Sequence, residues 1–199
     1  MKIGFDLDNT IFDYSEAVML AANNTFDISV HSNWKKDSVK TLIQKNFGES
    51  EWTRLQGLLY TQYVSHAKID ENALRLIEEI DKSGQHHIEI VSHKTTFPII
   101  GPRVDMRSIA TEHFITTSEK LLGRSLGVSI TYTDSLEEKI QYINSNHFDI
   151  FVDDLWEVIK HLNIPHKILF LPSNLPEEDI FVANNWQEVS HLIKVLFQC

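Results

Sequence analysis

From residue 87 onwards, short apolar runs alternate with longer segments whose apolar residues recur at three- and four-residue intervals. The short runs are typical of β-strands, and the longer segments are typical of amphipathic helices. Strands that alternate with helices favour a parallel sheet, because each parallel strand needs a crossover to reach the next. The pattern therefore predicts an α/β fold with a doubly wound parallel sheet.

The predicted strands share a short, apolar or β-branched character, and they lie at 2–7, 87–91, 129–133, 149–152 and 167–171. The predicted helices of this alternating part lie at 71–84, 104–114, 117–123, 135–146, 155–163 and 186–197. Between the first strand and the rest, residues 15–67 carry further helical patterns. We therefore predict a core domain formed by 1–13 and 80–199, with a helical cap domain inserted at 14–79.

Composition excludes several classes of protein. The formal net charge of −10 argues against a broad nucleic-acid surface, although a local basic cluster can still bind a small anion. The single cysteine, Cys199, leaves no disulfide within one chain and fits a reducing compartment. No apolar run is long enough to span a membrane, and Asp6 and Asp8 interrupt the run that a signal peptide would need. We expect a cytoplasmic monomer or homodimer without nucleic-acid or membrane partners.

Polar residues follow three of the predicted strands. Asp6 and Asp8 follow the first strand, Ser92 the second, and Asp153 and Asp154 the strand at 149–152. Parallel sheets bind ligands at the carboxyl ends of their strands, where clustered carboxylates would repel each other and show raised pKa values. Mg²⁺ prefers such oxygen ligands and leaves room for a phosphoryl group. Either acidic pair taken alone could instead cap a helix or a turn.

Four segments in this order resemble the four motifs of the haloacid dehalogenase (HAD) superfamily. They are GFDLDNTI, EIVSHKT, Lys139 in SLEEKI, and FVDDLWEV. The longer segments EWTRLQGLLY and IVSHKTTFPIIGPRVDMRSIA are similar to a bacterial subgroup of these hydrolases that has no assigned substrate and is often met near saccharide genes. The resemblance implies a Rossmann-like core with a C1-type helical cap, which closes over the active site.

The resemblance also implies catalytic roles. Asp6 would be the nucleophile that forms an aspartyl-phosphate, and Asp8 would be the general acid and then the general base. Asp6, the backbone carbonyl of Asp8, and Asp154 would bind Mg²⁺, with Asp153 a neighbouring or water-mediated ligand. Lys139 would neutralise charge on Asp6 and on the phosphoryl group.

The remaining candidates are substrate-binding residues. Ser92 would hydrogen-bond the phosphoryl oxygens, and Asn9, Thr10, His93 and Lys94 lie beside the expected site. The residues alone leave these open, because Asn9 and Thr10 fit a simple turn and His93 and Lys94 fit an ordinary loop. Two further groups lie in the cap region: Asp13 and Tyr14 at its hinge could face substrate, and Trp52, Leu55, Leu59 and Tyr60 are expected to pack the cap.

An aspartate two residues after the nucleophile is typical of phosphatases and phosphomutases within the superfamily. We therefore expect a Mg²⁺-dependent phosphatase that acts on a small phosphorylated metabolite, with a sugar phosphate favoured. A 5′-nucleotidase acting on a nucleoside monophosphate is the first alternative. A non-catalytic metabolite-binding or regulatory protein on the same fold is the second.

Overall fold

Six parallel strands form the central sheet of the computed structural model, which describes residues 1–31, 34–172 and 180–197. In chain order, the strands of the structure are β1 (Lys2–Phe5), β2 (Phe12–Asp13), β3 (Lys68–Ile69), β4 (His87–His93), β5 (Ser129–Thr133), β6 (Ile150–Asp153), β7 (His166–Phe170) and β8 (Phe181–Ala183). The α-helices are α1 (Ser15–Phe26), α2 (Lys36–Phe47), α3 (Glu49–Leu59), α4 (Glu71–Ser83), α5 (Met106–Leu122), α6 (Leu136–Ser145), α7 (Trp156–Ile159) and α8 (Trp186–Leu196). A 3₁₀-helix covers Val64–His66, and Cys199 lies outside the described residues.

The order of the strands in this sheet is β5-β4-β1-β6-β7-β8, and every neighbouring pair is parallel. This arrangement confirms the predicted α/β fold with a doubly wound parallel sheet. Strand β1 lies in the middle, between β4 and β6. The strand ends that carry Asp6, Ser92 and Asp153 are therefore immediate neighbours.

Helices cover both faces of the sheet because the strands are apolar on both. On one face, Ile3, Ile150 and Val152 belong to a core that also includes residues of α4, α5 and α8. On the other face, Val91 and Phe151 pack with residues of α6 and α7. A Cβ atom at position 4 would overlap the rings of Phe151 and Phe148, so glycine there allows these rings to lie against β1.

The helices α1, α2 and α3 lie in a segment whose two ends meet. Strand β2 pairs antiparallel with β3, with Phe12 opposite Ile69 and Asp13 opposite Lys68. Trp52, Leu55 and Leu59 are buried in the same cluster as the core strands, as expected of packing residues. Helix α4, which contains the predicted boundary at residue 79, contacts β4, α5 and α8. The division into a 14–79 cap and a core remains a prediction.

Several elements differ from the sequence prediction, and α5, α7 and β8 are examples. One helix, α5, replaces the two predicted at 104–114 and 117–123, because the Asp105 carboxylate caps its start and Gly123, at φ 70°, ends it. Helix α7 is much shorter than 155–163, since the N–H groups of His161 and Leu162 donate to carbonyls only three residues back and the Asn163 N–H donates to the Asn144 side chain. Strand β8 was not predicted, because its three residues are too few to show a periodic pattern. Among the described residues, no helix is long and apolar enough to cross a membrane.

Glu89, in the middle of β4, is a buried carboxylate with a complete set of partners. It accepts hydrogen bonds from Thr131 Oγ1 (2.6 Å) and Tyr142 OH (2.6 Å), and it pairs with Lys2 Nζ at 2.8 Å. Burial raises the pKa of Glu89, but these three partners lower it more, so it lies below its ordinary value. Glu89 therefore contributes stability that is present above the ordinary carboxyl pKa and is lost as pH falls through the folded-state pKa.

We expect Glu89→Gln to lower the free energy of unfolding by about 2–4 kcal/mol at pH 7, because it removes the charge that Lys2 and the two hydroxyls bind. The deficit should shrink at an acidic pH below the ordinary carboxyl pKa, as wild-type Glu89 protonates on passing through its lowered pKa. Urea unfolding at both pH values measures this difference. The exposed Glu71→Gln is the control and should cost less than about 0.5 kcal/mol. An equal deficit at both pH values would contradict the role of the ionised carboxylate.

Candidate active site

Three carboxyl groups meet at the carboxyl ends of β1 and β6. The N–H of Asp6 still donates to the Val152 carbonyl (2.9 Å), which holds Asp6 against β6 just beyond the last residue of β1. Asp153 ends β6, and Asp154 follows it. Carboxylate oxygens of Asp6, Asp153 and Asp154 lie within 4.8 Å of one another. The parallel pairing of β1 with β6 thus produces the cluster, which we call the acidic cluster.

Lys139 on α6 inserts its ammonium group between two members of the acidic cluster. Its Nζ lies 2.6 Å from Asp6 Oδ1 and 2.6 Å from Asp153 Oδ2, and the side chain is 1% exposed. Ser135 caps α6 by accepting the Glu138 N–H, which sets where the helix starts and which residue reaches the sheet. Although burial lowers the pKa of Lys139, Asp153 and Asp6 raise it more, so the ammonium stays charged.

The acidic cluster carries more negative charge than Lys139 balances. Burial raises the pKa of Asp6 to about 7, with Lys139 opposing and Asp153 and Asp8 adding to the rise. Burial, with Asp6 and Asp153, raises the pKa of Asp154 to about 8. Hard carboxylate oxygens with unbalanced charge are the donor set that suits a divalent cation such as Mg²⁺. Asp153 also accepts the Leu155 N–H (2.9 Å), so it caps the turn before α7 as well.

The carboxyl group of Asp8 has partners outside the acidic cluster. It accepts a hydrogen bond from Tyr14 OH (2.8 Å) and pairs with Lys94 Nζ at 2.6 Å. Burial raises the pKa of Asp8, but Lys94 and then Lys36 lower it more, so it lies below its ordinary value. Asp8 is therefore an ionised carboxylate here, and Tyr14 fixes its orientation. Lys94 is itself buried and joins the site, which the sequence had left open.

Ser92 has a buried hydroxyl without a partner. The residue is 1% exposed, and among the described residues its Oγ finds no hydrogen bond. An unpaired buried hydroxyl costs about 1–3 kcal/mol, so its presence indicates a group that it can bind. Ser92 lies inside β4, which runs to His93 and is longer than the predicted 87–91 strand.

The other sequence candidates take different places. Asn9 adopts φ 63° in the turn after β1, and Thr10 Oγ1 donates to Asp154 Oδ1 at 3.5 Å. His93 is exposed and hydrogen-bonds the Asp134 backbone, so the structure does not bring it into the acidic cluster. Asp13 is exposed and accepts a hydrogen bond from the Ser15 N–H before α1, which leaves it outside the site as well.

Lys36 and Tyr60 belong to the site, and sequence reasoning missed the role of both. Lys36 Nζ donates to Tyr60 OH (2.6 Å), and Lys94 Nζ lies 3.7 Å from the Tyr60 ring centroid. The rings of Tyr60 and Tyr14 meet edge to face, with centroids 5.3 Å apart. Lysine at the start of a surface helix gives no sequence signal, because only the packing of the inserted helices brings it to Asp8.

The fold has known counterparts. Over 96% of this chain, it superimposes with a TM-score of 0.61 on Protein Tyrosine Kinase A of Mycobacterium tuberculosis, at 13% identity and 97% of that chain. A HAD-superfamily hydrolase of subfamily IA from Geobacter sulfurreducens gives a TM-score of 0.60 at 11% identity, over 96% of this chain and 95% of that one. A putative phosphatase from Clostridium difficile gives 0.59 at 18% identity, over 96% and 97%.

These structures show that the chain has the fold of HAD-superfamily hydrolases, as the four motifs indicated. No family model matches the sequence, and no curated protein matches it.

We expect Asp154→Asn to stabilise the protein in the presence of a chelator. The pKa of the wild-type carboxyl rises to about 8 on burial, so at neutral pH folding forces it to take up a proton or to stay ionised at a cost, and the amide avoids both. A gain of about 1 kcal/mol corresponds to a rise in Tm of about 2–4 °C for a chain of this size. The same variant should lose most of the rise in Tm that Mg²⁺ gives to the wild type.

Thermal unfolding with EDTA and with Mg²⁺ measures both effects. Glu157→Gln, which removes an exposed charge at the start of α7, is the matched control and should change neither. A variant that is less stable in EDTA, or that keeps the full Mg²⁺ shift, would contradict a cation site at Asp154.

Proposed function

We propose that the protein is a phosphatase that hydrolyses a small phosphate monoester through an aspartyl-phosphate on Asp6. The observation that carries the proposal is the acidic cluster at the carboxyl ends of the central strands, with Lys139 bonded to Asp6 inside it. The arrangement supports the proposal because the carboxylate proposed as nucleophile, a buried ammonium group and a candidate cation site lie together. Phosphoryl transfer depends mainly on such positioning and charge stabilisation.

The structural neighbours support this choice of chemistry. Two of them are described as a HAD-superfamily hydrolase and a putative phosphatase, and the third as a protein tyrosine kinase. All three descriptions are compatible with phosphoryl transfer on this fold. Since identities of 11–18% relate the folds alone, the assignment of hydrolysis rests on the residues of the site.

In the first step, a carboxylate oxygen of Asp6 attacks phosphorus, and the bond from phosphorus to the leaving oxygen breaks. Lys139 favours the ionised form of Asp6 and holds it in place, and the unpartnered Ser92 hydroxyl donates to a phosphoryl oxygen. Asp8 gives a proton to the leaving oxygen. Because Asp8 is paired with Lys94, it must first gain that proton. An arriving phosphate adds negative charge and draws Lys94 towards itself, and both effects raise the pKa of Asp8.

In the second step, water attacks the phosphorus of the aspartyl-phosphate, and the bond from phosphorus to Asp6 breaks. Asp8 accepts the proton of the water, so inorganic phosphate leaves and Asp6 is again a carboxylate. Asp6, Asp153, Asp154 and the Asp8 carbonyl would hold Mg²⁺, which would offset the negative charge of the phosphoryl oxygens. Tyr14 keeps the Asp8 carboxyl oriented through both proton transfers.

The size of the substrate follows from what lies over the site. Lys36 and Tyr60 come from the inserted helical segment and reach the Asp8 side of the site. We propose that residues 14–79 act as a cap that excludes bulk water during the reaction, which favours a small metabolite over a protein substrate. The bacterial subgroup that the sequence resembles makes a sugar phosphate the first choice.

We expect Asp6→Asn to fold normally and to lose at least about a thousandfold in phosphate release, because the amide cannot act as the nucleophile. The measurement is phosphate release from a panel of sugar phosphates and nucleoside monophosphates, with Mg²⁺ and with EDTA. Asp37→Asn, an exposed change of the same type on α2, is the control. The best substrate decides between a sugar phosphatase and a nucleotidase. Phosphate release that persists in Asp6→Asn would contradict the mechanism. A folded wild type that releases no phosphate from any ester would favour a binding role.

Ser92→Ala separates ligand binding from stability. It removes a buried hydroxyl that has no partner among the described residues, so Tm should stay the same or rise. Binding of vanadate or inorganic phosphate and kcat/KM should each fall by about 10-fold or more, because a donor to the phosphoryl oxygens is lost. Titration of phosphate and steady-state kinetics measure the two losses. A variant that unfolds more easily but binds phosphate normally would show that Ser92 serves only packing.

A further inference from the structure

The two ends of the site have opposite charge. At the acidic cluster, three carboxylates face the single ammonium of Lys139. On the other side, the ammonium groups of Lys36 and Lys94 lie around the carboxylate of Asp8, and Asp154 acts more weakly on Lys36. The first end suits a divalent cation, and the second end suits an additional anion.

Lys36 is the cation of the second end that lacks a charged partner. Lys94 has Asp8 at 2.6 Å, whereas Lys36 donates to the neutral phenol of Tyr60 at 2.6 Å. Over the described ranges, Lys36 takes part in no ion pair, and its side chain is half-buried. Asp8 and, more weakly, Asp154 raise the pKa of Lys36 from beyond ion-pair distance, so its ammonium group stays charged and is still open to an anion in direct contact.

Tyr60 fixes where such an anion would bind. Its hydroxyl accepts from Lys36, its face carries Lys94 at 3.7 Å, and its ring packs edge to face on Tyr14, which is 1% exposed. Tyr60 therefore holds the two ammonium groups near each other, although like charges repel. Asp8 offsets part of this repulsion, and a second anion between or beside the two lysines would offset the rest.

The element that supplies Lys36 tells which part of a substrate it meets. Groups proposed to hold the transferred phosphoryl, namely Ser92 and Lys139, belong to β4 and α6 of the sheet layer. Lys36 begins α2 in the inserted segment, and it lies on the side of Asp8. Because Asp8 serves the leaving oxygen in the proposed reaction, Lys36 would meet the leaving group rather than the phosphoryl group.

We propose that Lys36, positioned by Tyr60, binds a second anionic group on the substrate, so that the leaving group of the phosphate ester is itself an acid anion. This proposal rests on the proposed phosphatase function and specifies its substrate class. The anion is either a carboxylate or a second phosphate, since both accept hydrogen bonds from an ammonium group in the same way. The neutral Tyr60 hydroxyl can donate to the same anion.

Two matched pairs of esters test the proposal. In each pair, the second member adds one anion: glycerol 3-phosphate with 3-phosphoglycerate, and fructose 6-phosphate with fructose 1,6-bisphosphate. The wild type should prefer the second member of at least one pair, and the pair that shows the preference identifies carboxylate or phosphate. Lys36→Met should lower the ratio of kcat/KM between the two members by about 10-fold or more.

Two control variants separate the effect of the Lys36 charge from an effect on the stability of α2. Lys36→Arg keeps the positive charge and should retain most of the preference. Lys40→Met alters an exposed lysine of the same helix and should leave the ratio at the wild-type value. A wild type that hydrolyses esters without preferring either anionic member overturns the proposal, as does a ratio unchanged in Lys36→Met.

Binding of the same four esters to Asp6→Asn, measured by thermal shift, tests this proposal separately from the phosphatase function. Absence of turnover in the wild type would refute the phosphatase function. A binding preference for the anionic member that disappears in Asp6→Asn/Lys36→Met would then still support the Lys36 anion site. Equal binding of both members to Asp6→Asn would overturn that site independently of catalysis.

Discussion

The ammonium group of Lys139, buried between Asp6 and Asp153, is the interaction on which the site depends. Parallel pairing of β1 and β6 forces their terminal carboxylates together, and burial makes their repulsion expensive. Lys139 removes part of that repulsion, and the start of α6 at Ser135 determines that this residue reaches the sheet. Lys139 therefore couples the position of a crossover helix to the charge of Asp6, the proposed nucleophile.

Because Lys139 does not compensate all the charge of the acidic cluster, the two sides of the proposed site differ in charge. The acidic cluster suits a cation and the lysines near Asp8 suit an anion, so the proposed phosphate ester would bind with a defined orientation between them. Asp8 lies where the two ends meet, with Tyr14 and Lys94 fixing both of its oxygens. Its protonation then depends on how strongly the substrate competes for Lys94. In the proposed reaction, the ion pair between Asp8 and Lys94 thus links substrate entry to proton transfer.

Much of this arrangement could be predicted from the sequence, because it follows from local patterns. The strand at 129–133 and the α/β order were read from periodicity, and the position of Asp6 followed from the end of an apolar run. The short strand β8 and the continuity of helix α5 were not predicted, since neither element has a distinctive hydrophobic repeat. Lys36 and Tyr60 could not be placed, because their meeting depends on how the inserted helices pack over the sheet.

The most direct test of the central claim is chemical trapping of the phosphorylated carboxylate. The protein, with Mg²⁺ and its best ester, is treated with borohydride during turnover, and the peptide that contains residue 6 is analysed by mass spectrometry. Borohydride reduces an acyl phosphate to an alcohol, so Asp6 should be converted to homoserine. The conversion should occur only when substrate is present. It should be absent in Lys139→Met, which lacks the ammonium group that favours the ionised form of Asp6 and holds it in place. Turnover without any modification at Asp6 would contradict the account.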